Sequence, residues 1–194
     1  MRYIFFDTET SGLPISYKAP ISNSENWPHI VQLSWIVTED DEVVKIGDHI
    51  IKPEGFVISE SVSAIHGITT ERAIAEGISL REALSEFLKD FIAADCAVGH
   101  NITFDKNMLA AELYRLRVNP KLLNKPTVCT MMSSIDFCEL PGPYNNYKWP
   151  KLQELYVKLF NEQFEDAHNS MADVEATMKC FFEHKKRNII HESL

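Results

Sequence analysis

Tyr3-Ile4-Phe5-Phe6-Asp7-Thr8-Glu9-Thr10-Ser11-Gly12-Leu13 is the stretch that decides how this chain is read. The apolar run Tyr3–Phe6 ends at an acid, with a glycine shortly afterwards, and reads as a buried strand running into a turn. Residues i and i+2 of an extended chain point to the same side, so Asp7 and Glu9 bring two carboxylates to one point at the strand's end. Acids that close raise each other's pKa unless a cation sits between them. Hard divalent ions such as Mg²⁺ take oxygen ligands of this kind. The competing reading is two acids in a solvated turn.

Outward from this strand, Pro14–Pro28 is rich in Pro, Ser and Asn, a loop of unusual length of the kind that serves function or moves. Ile30–Val37 and Glu42–Ile51 read as a hairpin across the charged turn Glu39-Asp40-Asp41. Ser79-Leu80-Arg81-Glu82 is a capping-box pattern, followed by Leu80, Leu84, Phe87, Leu88 and Phe91 at helical spacing. Ala97–Gly99 and Pro126–Thr130 are short strands, and Thr103–Val118 between them is a helix with Leu109, Leu113 and Leu116 inward. Pro150 suits the first position of a helix carrying Leu152, Leu155, Tyr156, Leu159 and Phe160. A last helix opens near Asn169 and carries Val174, Met178, Phe181 and Phe182. This order predicts an α/β domain with a mixed sheet, antiparallel at its N-terminal end and parallel afterwards.

With 194 residues the chain reads as one domain, 1–194. Its 19 Lys and Arg against 28 Asp and Glu give a net charge of −9, which argues against coating duplex nucleic acid. The start has the wrong charge pattern for a signal peptide, and no apolar run approaches a membrane span. Four spaced cysteines without a CxxC read as reduced thiols. The expectation is a soluble, cytoplasmic protein with no membrane partner.

Two further clusters carry acids. In Gly99-His100-Asn101-Ile102-Thr103-Phe104-Asp105 a strand runs into a helix, so Asp105 falls near the helix N-terminus. There it either serves the dipole or joins a site, and Asn101 suits the cap. In His168-Asn169-Ser170-Met171-Ala172-Asp173, Ser170 and Asp173 fit a capping box. On one helix His168 and Asp173 would stand about 140° apart. They share a site only with His168 in the preceding loop and Asp173 in the first turn.

Taken in order, Phe6–Leu13, Gly99–Asp105 and His168-x4-Asp173 resemble the three motifs of the DnaQ-like (DEDDh) 3′–5′ exonucleases. Ile65-His66-Gly67-Ile68-Thr69 resembles a segment common in the proofreading branch, that of the epsilon-type exonucleases of bacterial replicative DNA polymerase. The resemblance implies a ribonuclease-H-like fold, a five-stranded mixed sheet flanked by helices. It implies that Asp7, Glu9, Asp105 and Asp173 bind two divalent ions, Mg²⁺ or Mn²⁺, with His168 as general base. The substrate would be the 3′ end of single-stranded nucleic acid, DNA ahead of RNA, for a stand-alone enzyme or one serving a DNA polymerase. Carried over from the family, Thr10, Leu13, Ile65, His66, Asn101 and Phe104 are the substrate-contact candidates.

Rival readings stay open on the sequence. They are an RNA-trimming enzyme using the same five residues, and a non-catalytic, polymerase-associated module on the same fold. A D-x-E after a strand also resembles the start of the haloacid-dehalogenase phosphatases, which require Asp where Glu9 stands. Zinc held by His66, His100, His168 and the cysteines lacks the usual ligand spacing. The Pro14–Pro28 loop, with Tyr17 and Trp27, either closes over the substrate or is an insertion without a catalytic part. Trp149, just before a helix, reads as a packing anchor rather than a base contact.

Overall fold

Strand alternation along β1 (Arg2–Thr10) organises the molecule. In the computed structural model, which describes residues 1–165 and 167–190, β1 is the centre of a five-stranded sheet. β2 (Ile30–Glu39) and β3 (Glu42–Ile50) run antiparallel beside it, while β4 (Cys96–Gly99) and β5 (Thr127–Cys129) run parallel. The order is β3-β2-β1-β4-β5, the mixed ribonuclease-H-like sheet that the motifs implied. The β2–β3 turn places both Asp40 and Asp41 at positive φ, the backbone that a two-residue hairpin requires.

Odd residues of β1 face one layer and even residues the other. Tyr3 and Phe5 pack on α8 (Ser170–Lys186), where Phe181 meets both rings edge-on at 4.9 and 5.4 Å. Ile4 and Phe6 pack on the opposite layer, built from α3 (Leu80–Ala93) and α4 (Ile102–Arg115). Two large cores on opposite faces explain why Tyr3–Phe6 of β1 and most of β2 are apolar on both faces. On the α3 side Trp35 lies buried, donating its Nε1–H to Asp90 at 2.8 Å, and Lys45 pairs with the same carboxylate. Gly47 passes directly over that indole, and a Cβ there would stand 2.2 Å from the ring.

Two helices come without a sequence expectation, α1 (Glu60–His66) and α2 (Thr70–Glu76). Each is only two turns long, too short to display a helical stripe. They form a small separate core with Val31, Ile58, Ile68 and Ala73. After β5 the chain makes two more single turns, α5 (Thr130–Ser133) and α6 (Ile135–Cys138), before α7 (Leu152–Phe160). Pro150 is not the first residue of α7. Lys151 is its cap, and its N–H donates to the Glu154 carboxylate at 2.8 Å. Among the described residues no helix is long and apolar enough to cross a membrane.

Candidate active site

The parity that sorts the core also builds the site. Asp7 and Glu9 continue the odd face of β1 and therefore meet the start of α8, where Asp173 lies in the first turn. One carboxylate oxygen from each of these three residues falls within 4.8 Å of the others. Thr8, between the two acids, points to the other layer and meets Asp105 in the first turn of α4. Its N–H and hydroxyl both donate to one Asp105 oxygen, at 3.0 and 2.7 Å. Asp105 thus reaches the cluster from the opposite side of the strand. The pairing of β1 with β2 shifts register between Glu9 and Thr10, ending the regular ladder beside the acids.

The start of α8 is fixed differently from the sequence expectation. Asn169, not Ser170, is the cap, and its side chain accepts the N–H groups of Met171 and Ala172. Ser170 is buried, and its hydroxyl donates to the carbonyl of Asp7 at 2.8 Å, stapling α8 to β1. His168 lies exposed in the preceding loop with φ 70°, and its N–H donates to Asp173 at 3.3 Å. The loop and the helix start therefore hold His168 and Asp173 together without placing both on one helix.

Electrostatically the cluster is unbalanced. Burial, then Asp105, Asp173 and Glu9, raise the Asp7 carboxyl well above the ordinary carboxylate range. Burial and the charges of Asp173 and Asp105 push Glu9 up to about 8. Burial carries Asp105 to about 7 despite the hydrogen bonds from Thr8. Asp173 rises to about 6 through burial, held back by the N–H and charge of His168. Among the described residues no Lys, Arg or His side chain forms an ion pair with any of the four. A converging, partly dry set of oxygen donors, with no Lys or Arg paired to it among the described residues and only the exposed His168 beside Asp173, fits hard divalent cations.

Five of the six substrate candidates line one cleft of about 260 Å³ beside the acids: Thr10, Leu13, Ile65, His66 and Phe104, together with Thr8, Glu9, Gly12 and Val62. Leu13 is 73% exposed, so core packing does not account for it. Phe104 lies against the main core and opens onto the cleft. Thr10 is buried and donates its hydroxyl to the carbonyl of Gly12 at 2.6 Å. The ring of His66 accepts the N–H of Ile68 at Nδ1, and its buried Nε2 makes no hydrogen bond among the described residues. Asn101 does not line this cleft. It stands exposed at the start of α4 in a left-handed backbone (φ 64°), and its side chain does not cap the helix.

His100 is a strut. Its Nε2–H donates to the carbonyl of Pro150 at 3.0 Å, its Nδ1 meets the hydroxyl of Thr130 at 3.0 Å, and burial lowers its pKa to about 4. Trp149 is 62% exposed, against the expectation of a packing anchor, whereas Trp27 is the buried one. Sequence reading missed Thr8 and Ser170 as supports. Strand alternation was the available signal for Thr8; nothing marked the Ser170 contact, which spans the length of the fold.

The sequence profile of the RNase_T family, described as "Exonuclease", matches residues 4–181. A search of the curated proteins returns no match. Among solved structures, the fold is similar to that of exonuclease I from E. coli in complex with a dA16 oligonucleotide, at TM-score 0.73 and 20% identity over 96% of this chain and 41% of that one. The zinc-bound complex of the E. coli enzyme with single-stranded DNA is likewise similar, at TM-score 0.75 and 22% identity over 96% and 41%. So is a moderately thermophilic exonuclease I from Methylocaldum szegediense, at TM-score 0.76 and 20% identity over 96% and 40%. The chain spans about two-fifths of the length of each of these structures. Matched over residues 4–181, the chain belongs to the RNase_T exonuclease family of the DnaQ-like superfamily.

Proposed function

We propose that this chain is a metal-dependent 3′–5′ exonuclease that releases nucleoside 5′-monophosphates from the 3′ end of single-stranded nucleic acid, DNA in preference to RNA. The observation that carries the reading is the juxtaposition of Asp7, Glu9 and Asp173 with an apolar cleft of about 260 Å³ that begins at Glu9. The similar E. coli structures hold single-stranded DNA, which supports a DNA substrate here.

In this mechanism Asp7, Glu9 and Asp173, with Asp105 from the far side, hold two divalent ions, Mg²⁺ or Mn²⁺. Such ions supply charge neutralisation at the attacking and leaving oxygens of a phosphodiester and lower the pKa of water. Thr8 fixes the Asp105 carboxylate through two hydrogen bonds, leaving its second oxygen for the cluster. His168, at the mouth of the site, takes the proton of the attacking water, a task suited to an imidazole near neutral pH. Leu13 and Phe104 hold the terminal base and sugar, and stacking of this kind tolerates any base.

The test is product analysis on matched DNA and RNA strands carrying a 5′ label, with Mg²⁺ or with EDTA. The expected result is a ladder that shortens from the 3′ end only with metal, faster for DNA. Internal cuts overturn the exonuclease reading, and faster trimming of RNA transfers it to that substrate. An Asp7→Ala protein with full Mg²⁺-dependent activity overturns the metal assignment.

A further inference from the structure

The long loop after the first motif is built, not loose. At its neck Ser11 and His29 exchange hydrogen bonds, the N–H of Ser11 to the His29 carbonyl (2.8 Å) and the N–H of His29 to the Ser11 hydroxyl (3.0 Å). Inside it the buried Asn26 grips Ser16 twice, its side-chain oxygen accepting the Ser16 N–H at 2.8 Å and its amide donating to the Ser16 carbonyl at 3.0 Å. Trp27 is buried with its Nε1–H on the Pro20 carbonyl. The Arg115 guanidinium, from α4, donates to the carbonyls of Ser24, Trp27 and Pro28.

All this bracing presents large side chains to solvent. Tyr17, adjacent to the gripped Ser16, is 61% exposed, and its ring centroid lies 6.5 Å from that of Phe104, inclined by 46°. Phe104 lines the cleft that begins at Glu9. An aromatic surface therefore leads from the acids over Phe104 to Tyr17. Among the described residues no Lys or Arg lines that cleft, so away from the acids it offers no cationic side chain to grip phosphates. Beyond the terminal phosphodiester, the apolar lining favours contact with bases over phosphates.

We propose that Tyr17 is a substrate-positioning residue, with the braced loop holding its ring as a stacking platform for an unpaired base upstream of the 3′-terminal nucleotide. This rests on the exonuclease reading above and adds a residue and a subsite to it. A ring on a pre-fixed loop stacks without first being ordered, so the contact strengthens binding of longer single strands. The chemical step at the terminal phosphodiester is left unchanged.

The experiment compares a thymidylate dinucleotide with a longer thymidylate strand, by steady-state hydrolysis in Mg²⁺ and by fluorescence anisotropy of the labelled strands in Ca²⁺. Tyr17→Ala is expected to raise KM and Kd for the longer strand by about tenfold, the scale of one base–aromatic stack. Its kcat, its dinucleotide kinetics and its melting temperature stay at parent values, and Tyr17→Trp restores the affinity. Asn26→Ala, which frees Ser16 while keeping the ring, is expected to raise KM in the same direction by less. Equal affinity of the parent and Tyr17→Ala for the longer strand, or an equal loss on the dinucleotide, overturns the proposal. A parent that hydrolyses neither strand overturns the exonuclease reading instead, and the anisotropy comparison still decides the role of Tyr17.

Discussion

Helix α4 carries two buried acids two turns apart, and they are treated in opposite ways. Glu112, 1% exposed, meets the Arg115 guanidinium at 3.0 Å, His29 Nδ1 at 3.1 Å and the N–H of Ile30 at 3.1 Å. Burial alone would raise its pKa, yet His29 and Arg115 hold it below the ordinary value. Asp105, 3% exposed, has hydrogen bonds from Thr8 but, among the described residues, no Lys or Arg, and it stands with three more acids of which only Asp173 has a basic neighbour, His168. Where a buried carboxylate serves only the fold, this protein provides a cation from its own chain. At the cluster, among the described residues, it provides only the exposed His168 beside Asp173, as suits a site that takes most of its positive charge from solution.

The comparison breaks first at Asp7. Asp7→Asn is expected to lower hydrolysis about a thousandfold or more, since several kcal/mol of transition-state charge stabilisation depend on the metal set. The same variant should melt higher than the parent in EDTA, because it deletes a buried charge that lacks a partner. A lower melting temperature there would show that the charge is compensated within the protein after all.

Next comes His168→Ala, expected to reduce kcat by about a hundredfold or more as the proton acceptor is lost. The rise in melting temperature on adding Mg²⁺ should be kept, separating the base from the ion ligands. An unchanged kcat would remove His168 from the mechanism.

At the other end of α4, Arg115→Met should cost about 3 kcal/mol in urea denaturation, because it leaves Glu112 buried without its cation. The opposite signs of the Asp7 and Arg115 variants in EDTA are the sharpest form of the comparison.

The smallest effect is the pH dependence of the ion-free protein. Asp173, Asp105 and Glu9 have folded-state pKa values of about 6, 7 and 8, above the ordinary values of 3.8 and 4.5. Their neutral forms favour the fold, so that contribution is whole below the ordinary values and is lost as pH climbs through 6 to 8. Glu112 runs the other way, its contribution being present above 4.5 and lost as pH falls through its lowered value. Melting curves in EDTA should therefore fall by several degrees toward pH 8, and the rise produced by Mg²⁺ should grow over the same interval. A flat profile would mean that the four acids do not share a dry site.

Much of this was legible beforehand, for identifiable reasons. Tyr3–Phe6 sits between two layers, and an uninterrupted apolar run is the signature of that position. The spacing of Asp7 and Glu9 transferred directly, because strand parity survives any choice of neighbours. What failed was local chemistry that distant residues redirect. Ser170 resembles a cap until its hydroxyl is claimed by Asp7, and Asn169 takes over. Glu112 and Arg115, three apart on a helix, resemble an ordinary surface pair, and only the fold buries the acid under the loop it braces. Helices α1 and α2 were invisible because two turns are too few to show a period. Tyr17 was visible as an aromatic in a long loop, but its placement over Phe104 depends on the grip of Asn26 on Ser16, the residue before it.

The Ser170 staple also has a consequence for the order of events during synthesis. The contact joins positions separated by 163 residues, and it fixes the helix that carries Asp173 onto the strand that carries Asp7. A growing chain made only as far as α3 already holds Asp7 and Glu9, while Asp105 and Asp173 are still to come. The complete carboxylate set is therefore assembled by the closing of a loop of 163 residues, among the slowest kinds of step in folding. A partly made chain has no full site with which to hydrolyse nucleic acid.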